Sequence, residues 1–274
     1  MDGEYTPGRP HPALAGYVLR YLGYREHSRT PVLRRQAAAA SCTLIISFGP
    51  RLRLHGPAGP LAPASFLAGM HDAPVRTEFV GLQHGVQVDL GPLGAYALLG
   101  RPLSDLTNAT PQLTELDVPE LAGLPGRLAE APGWRERFAL IDDALLRRLD
   151  ASTARPDPEV AWAWRRLVAD GGRVEVHELA AATGWSRRHL LTRFRRQVGL
   201  GPKTAARVLR FQRAARLLAP AGVHGPGPSD TASVPVRSIA DVAAACGYAD
   251  HAHLVREFRA LAGCTPTEYL VEWG

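Results

Sequence analysis

Lysine is almost absent from this chain. Of 32 basic residues all but Lys203 are arginine. Alanine, glycine and proline are also abundant, as GC-rich codons dictate, so part of the arginine bias is compositional. Cysteine is scarce too. Cys42, Cys246 and Cys264 are odd in number, far apart and without a CxxC pair. This argues against a disulfide scaffold or a cysteine-rich zinc site and fits a reducing cytoplasm. Long apolar runs are missing. The longest, Ala37 to Phe48, has 12 residues and includes Ser41, Cys42, Thr43 and Ser47, short of the ~18–20 that span a bilayer. No basic stretch followed by an apolar one opens the chain, so no signal peptide and no membrane partner are expected. There is no G-x-G-x-x-G or Walker loop and no strand–G-x-S-x-G–helix context. His55, His71 and His84 show no metal-ligand spacing with a nearby acid. His251 and His253, two apart, project to different sides of a helix. Neither a metal nor a cofactor is expected.

What is present suits a folded protein. Hydrophobic residues make up 46% of 274 and charged residues 21%, which supplies a core. At ~100–200 residues per domain the length predicts two domains. The net charge of +6 is unevenly placed. Residues 1–155 hold 16 basic and 15 acidic residues, residues 156–274 hold 16 and 11, and no acid lies between Glu178 and Asp230. Ser186–Arg216 alone carries ten basic residues. A field of one sign at that density points to a polyanion; a solvated helix face is the plainer alternative.

The periodicity changes along the chain. Short apolar or alternating runs (Tyr17–Arg25, Thr43–Phe48, Leu52–Leu54, Ser65–Ala68, Val75–Val80, Val86–Leu90) separated by Gly-Pro punctuation predict a small antiparallel barrel or sandwich. Trailing helices are predicted over Leu93–Leu99, Leu113–Leu128 and Trp134–Leu149. Ala151–Pro158 reads as a polar linker. Beyond it the chain reads as all-helical: Pro158–Asp170, Val176–Thr183, Ser186–Val198, Lys203–Leu218, Ser238–Cys246 and Asp250–Ala262, with Ala219–Pro235 as a Pro/Gly/Ser-rich loop. The fold class is therefore α+β in two domains: residues 1–150 β-rich, 151–158 a linker, 159–274 all-α.

An internal repeat dominates the second half. Glu178–Pro202 (ELAAATGWSRRHLLTRFRRQVGLGP) and Asp241–Pro266 (DVAAACGYADHAHLVREFRALAGCTP) share an alanine-rich helix, a Gly-aromatic turn (Gly184-Trp185; Gly247-Tyr248) and a polar N-cap (Ser186; Asp250). Both continue with an i, i+4 apolar pair (Leu190/Phe194; Leu254/Phe258) and a closing Gly-x-x-Pro. This is the pattern of a helix-turn-helix. A tight turn needs glycine, the Leu/Phe pair locks the second helix inward, and its opposite face is free to enter a major groove. The units span about residues 176–199 and 238–263. With Leu190 and Phe194 inward, Arg187, Arg188, Leu191, Thr192 and Arg195 lie outward; with Leu254 and Phe258 inward, His251, Ala252, Val255 and Arg256 do. Arg188 and Arg256 suit guanine, and Leu191, Ala252 and Val255 suit thymine methyls. Arg195, Arg196, Lys203 and Arg207 suit phosphates.

Over Glu178–Leu270 the sequence resembles the AraC/XylS family of bacterial transcription regulators. The residues that carry the resemblance are RFQRAARLL (Arg210–Leu218), SIADVAAACGYADHAHLVREFRALAG (Ser238–Gly263) and TPTEYL (Thr265–Leu270). The resemblance implies two recognition helices, held by one central helix, that read adjacent major-groove segments. It implies the base-reading set Arg188, Leu191, Thr192, His251, Ala252, Val255 and Arg256. It also implies an N-terminal sensing or dimerisation domain. The expected partners are double-stranded DNA, a small-molecule effector, RNA polymerase and a second copy of the chain. Ala219–Pro235 is longer than the family's usual link.

Two other readings remain. In the first, Cys42 is an alkyl-accepting nucleophile of a DNA-repair enzyme fused to the DNA-binding half; its exposure beside a base decides. In the second, the protein is architectural, with a filled N-terminal domain and no ligand. Trp162 and Trp164, two apart, cannot share one core, and one of them is a candidate for coupling the halves.

Overall fold

The computed structural model describes residues 2–56, 59–219 and 238–273. Seven strands form one antiparallel sheet: β1 (Asp2–Gly8), β2 (Val18–Gln36), β3 (Cys42–Ser47), β4 (Arg53–Gly56), β5 (Gly59–Leu61), β6 (Phe66–Ala68) and β7 (Val75–Leu90). The pairing order is β1-β2-β7-β3-β6, with β4 between β5 and the first part of β7. The expected β-rich domain is thus built, among the described residues, on one bent antiparallel sheet. The long strand β2 shows the bend directly. Arg34 makes a two-pronged ion pair with Glu26, eight residues earlier, at 2.9 and 2.6 Å, whereas a straight strand would separate them by roughly 26 Å. The bend falls where the β2–β7 register shifts between Ser28 and Val32, next to Pro31, which suits a bulge.

Several strand limits depart from the sequence reading. The two runs predicted over 75–90 are one strand. Gly85 marks a close approach, since a Cβ there would lie 2.6 Å from the Tyr24 hydroxyl and 2.8 Å from the Ile46 carbonyl. The edge strand β1 (DGEYTPG) has no apolar alternation to reveal it. The helix expected over Leu113–Leu128 is broken into a 3-10 turn, Leu113–Glu115, and two short helices, α2 (Pro119–Ala122) and α3 (Leu124–Glu130). Pro119 and Pro125 each sit in a first turn, where the missing N–H is harmless but continuation from the preceding residue is disfavoured.

The sheet has two buried faces. Cys42, Leu44, Ile46, Val86, Val88 and Leu90 join the main core. Ile45, Leu54 and Phe66 form a small cluster on the other side. Helices α1 (Pro92–Leu99) and α4 (Trp134–Ala151) belong with the main core. Gly23 and Gly8 make room for the rings of Trp134 and Phe138 on α4, and Asp142 accepts from the Tyr21 hydroxyl at 2.8 Å.

The C-terminal helices are α5 (Pro158–Ala169), α6 (Val176–Thr183), α7 (Arg187–Val198), α8 (Pro202–Leu218), α9 (Ile239–Ala245), α10 (His251–Ala262) and α11 (Pro266–Trp273). Beyond Ala219, the link expected at Ala219–Pro235 lies outside the described residues. The main core continues into this region: Leu103 and Met70 belong to the same cluster as Leu190, Phe194 and Phe258. Among the described residues no helix is long and apolar enough to cross a membrane.

Two glycines test this packing with opposite signs. A Cβ at Gly94 on α1 would lie 2.2 Å from the Tyr17 carbonyl oxygen, whereas nothing stands within 4 Å at Gly126 on α3. Gly94→Ala is expected to destabilise the protein by about 1–3 kcal/mol. Gly126→Ala is expected to stabilise it by about 0.5–1 kcal/mol through helix propensity. Urea unfolding of both variants measures the difference; equal effects would refute the close approach.

Candidate nucleic-acid interface

The two units are built alike. The helices α6 and α9 end in turns at Gly184 and Gly247, with φ of +70° and +73°, a conformation strained for any residue with a Cβ. The next helices open on Ser186 and Asp250. Their side chains accept the backbone N–H of His189 at 3.2 Å and of His253 at 2.6 Å, satisfying a donor that a helix start leaves free. Each capped histidine meets the turn aromatic edge-on, His189 against Trp185 at 4.5 Å and His253 against Tyr248 at 5.2 Å. Leu190, Phe194, Leu254 and Phe258 are fully buried.

The opposite faces carry the residues anticipated for DNA. Arg187, Arg188, Leu191, Thr192, Arg195 and Arg196 on α7 are exposed, as are His251, Ala252 and Arg256 on α10; Val255 is half-buried. Neither helix has an acid in its first turn. Arg187 and Arg188 instead place positive charge at the positive end of the helix dipole, where an anion is favoured. Lys203 is exposed at the start of α8. Arg207 stands apart from this set. It is half-buried, and its Nε donates to Glu257 Oε2 at 2.7 Å, so its charge is already partnered within the fold.

That pair has a counterpart. Arg193 and Glu257 each lie seven residues after their caps, at the same repeat position with opposite charge. Arg193 donates to Asp157, the residue before α5, through Nε at 2.6 Å and Nη2 at 2.7 Å. The fully buried Gln197 donates to the same carboxylate at 2.7 Å and accepts the Asp157 N–H at 2.8 Å. The Arg193 guanidinium holds the Asp157 carboxyl below the usual carboxylate range. Helices α7 and α10 are thus each anchored on the inner flank by a charge pair to an adjoining segment. The anchors were missed from the sequence, although the repeat alignment places a charge at both positions.

The segment expected as a linker is therefore docked. Ser152 Oγ donates to the Ala97 carbonyl at 2.5 Å, and Asp157 holds α7. Of the tryptophans, Trp162 is exposed and Trp164 lies 6.3 Å from the ring of Phe194 on α7.

Cys42 is fully buried on β3, and burial pushes its thiol up to about 12, which removes the thiolate a nucleophile needs. His55 pairs with Glu78 at 2.8 Å, His71 bonds the Gly69 carbonyl at 2.7 Å, and His84 packs edge-on against Phe48 at 4.2 Å. Among the described residues no group of three His, Cys, Asp or Glu side chains is placed to hold a metal.

A family profile for "Bacterial regulatory helix-turn-helix proteins, AraC family" matches residues 237–270, which contain the second unit. Over those residues the chain is similar to the helix-turn-helix of that family. Residues 8–112 match a domain of unknown function, DUF6597. No curated protein matches the chain. Solved structures of ToxT from Vibrio cholerae share the two-part fold. A P21 crystal form aligns over 100% of this chain and 99% of its own at 9% identity and TM-score 0.50. A complex of ToxT from strain O395 with (E)-4-(8-methylnaphthalen-1-yl)but-3-enoic acid aligns over 100% of both chains at 11% and 0.50. The C-terminal domain of AraT, a response regulator from Geobacillus stearothermophilus, covers 43% of this chain and 88% of its own at 17% identity and TM-score 0.36. The likeness to the ToxT structures, at 9–11% identity, is one of fold: a sheet domain followed by a helical region.

The Asp157 anchor gives a test of stability. Asp157→Ala leaves the buried Gln197 amide without its acceptor, with an expected loss of about 1–3 kcal/mol. The folded pKa of Asp157 lies below its unfolded value, ~3.9. The anchor's contribution is therefore complete above about pH 4 and is lost as pH falls through the folded pKa. Urea titrations across that range should show wild type and variant converging in acid; a constant gap would sink the assignment.

Proposed function

We propose that the protein regulates transcription by laying α7 and α10 into adjacent major-groove segments on one face of a specific operator. The observation that carries this reading is the pair of repeat-related helices, each buried through its Leu/Phe pair and each presenting an acid-free first turn and exposed arginine. The central helix α8, with 17 residues, is roughly 25 Å long at ~1.5 Å per residue, a length suited to holding two readers near one DNA turn of ~34 Å apart. In this reading Arg188, Leu191, Thr192, His251, Ala252, Val255 and Arg256 face bases, and Arg187, Arg195, Arg196 and Lys203 face phosphates. RNA polymerase and a second copy of the chain are the further partners it implies, in the cytoplasm.

Selection of bound duplexes from random DNA by the full chain tests it. Arg188→Ala and Arg256→Ala should each weaken binding to the selected operator by about 1–3 kcal/mol and relax one base position. Arg196→Ala should weaken all sequences alike. With roughly six to eight phosphate contacts, log K should fall against log salt with a slope of about −5 to −7. An unchanged base profile in both of the first two variants would refute the reading face.

A specific observation also favours effector sensing by the N-terminal domain. One side of its sheet carries, besides Ile45, a cluster of largely buried polar groups. Asp89 accepts from Arg20 Nε, from Thr43 at 3.0 Å and from Gln87 at 2.9 Å, while Arg20 Nη1 is buried without a partner among the described residues. The same strands, β2 and β7, also bury Glu26, Gln83 and Thr77. An unsatisfied buried donor is costly in a purely structural domain, and an organic anion would satisfy it. A thermal-shift screen of small carboxylic acids should give ligands that raise the Tm of wild type and not of Arg20→Met; ligands that raise both equally would place binding elsewhere.

A further inference from the structure

The closing glycines of the two units, Gly199 and Gly263, stand 13 residues after Ser186 and Asp250 and are therefore repeat-equivalent. The N-terminal domain bonds the carbonyl of both. Thr107 Oγ1 donates to the Gly199 oxygen at 2.7 Å, and Arg35 Nη1 donates to the Gly263 oxygen at 2.6 Å. One loop of that domain, between β6 and β7, touches both glycines. A Cβ on Gly199 would lie 3.3 Å from Met70 Cβ, and a Cβ on Gly263 would lie 3.3 Å from Pro74 Cγ. Met70 and Pro74 are four residues apart, so at most about 14 Å of chain separates the two points of contact.

The loop is itself pinned. Asn108 Nδ2 donates to Asp72 Oδ1 at 2.8 Å, the Asp72 N–H donates to Asn108 Oδ1 at 3.1 Å, and the Asn108 N–H donates to the Met70 carbonyl at 3.0 Å. The second unit has further ties. The Ala38 N–H donates to the Leu261 carbonyl at 2.8 Å, and Arg35 Nε pairs with Glu272 at 2.9 Å. The last carbonyls of a helix have no intrahelical donor, so a side chain that supplies one holds the helix end at a defined place.

We infer that the N-terminal domain is a brace that stiffens the separation α8 gives the two recognition helices, and with it narrows the spacing between the two half-motifs the protein accepts. Arg35 and Thr107 are its positioning residues; neither touches DNA. Inserting one base pair between half-motifs moves one of them by about 3.4 Å along the axis, a shift that a braced pair of readers cannot follow and a released pair can. The inference rests on the DNA-binding reading, and its test separates the two.

The full chain is titrated against the selected operator and against versions with one base pair inserted or removed between half-motifs. Wild type should lose about tenfold or more in affinity on either altered spacer, the scale of one mismatched pair. Arg35→Ala with Thr107→Val should cut that penalty to about threefold or less. Arg35→Ala with Thr107→Ser, which keeps the hydroxyl at one glycine, should fall between. A melting transition like that of wild type checks that the variants fold. An identical spacer penalty in wild type and in the folded double variant would overturn the brace, as would tighter binding by the double variant at every spacing with the penalty intact. Failure of wild type to bind any duplex would instead overturn the DNA-binding reading.

Discussion

A surface helix can leave one face free for a partner only if the other is held inside the protein, and in α7 and α10 that constraint falls on four side chains. Leu190, Phe194, Leu254 and Phe258 are fully buried. Everything else at the interface is set by that burial. Arg187, Arg188, Arg195 and Arg196 of α7 lie outward because the i, i+4 pair lies inward. The Gly184 and Gly247 turns bring α6 and α9 against that same inward side. The charge pairs Arg193–Asp157 and Glu257–Arg207 then prevent each helix from sliding on its apolar seat. Apolar burial supplies most of the stabilisation, about 25 cal/mol per Å², but it is non-directional; the two-pronged Arg193–Asp157 contact adds the direction.

The N-terminal domain is more than an appendage joined by a tether. Its core is continuous with that of the first unit. The segment between α4 and α5 is bonded at Ser152 and again at Asp157. A change in the sheet domain therefore has a mechanical route to α7 through Thr107 and Asp157, and to the end of α10 through Arg35 and Ala38. Coupling of this kind requires differential contact in two states.

The fold was legible in proportion to how local its signals are. The limits of α6 agree with the expected Val176–Thr183, and α7 and α10 start one residue after their predicted caps, because caps, glycine turns and 3.6-residue periodicity are all written within a dozen residues. The outward set on the readers was legible for the same reason. The sheet was harder to read. β1 has no alternation of its own and exists because it pairs with β2, and Gly81 and Gly85 resemble breaks although β7 runs through both. The helix expected over Leu113–Leu128 failed at Pro119 and Pro125, where periodicity alone outvoted the backbone chemistry.

By itself the sequence determined the two-part organisation, the duplicated helix-turn-helix pattern, and which faces of α7 and α10 lie opposite their apolar pairs. These follow from residue order along single elements. Tertiary structure alone decided what those elements are attached to. Arg207, a phosphate candidate by composition, is held by Glu257, 50 residues away. Arg35 reaches Gly263 across 228 residues and Thr107 reaches Gly199 across 92. Cys42 loses access to solvent because the sheet buries it. Hydrogen bonds and ion pairs between distant residues depend on positions a few tenths of an ångström wide, and those positions exist only once the sheet has bent and the helices have docked.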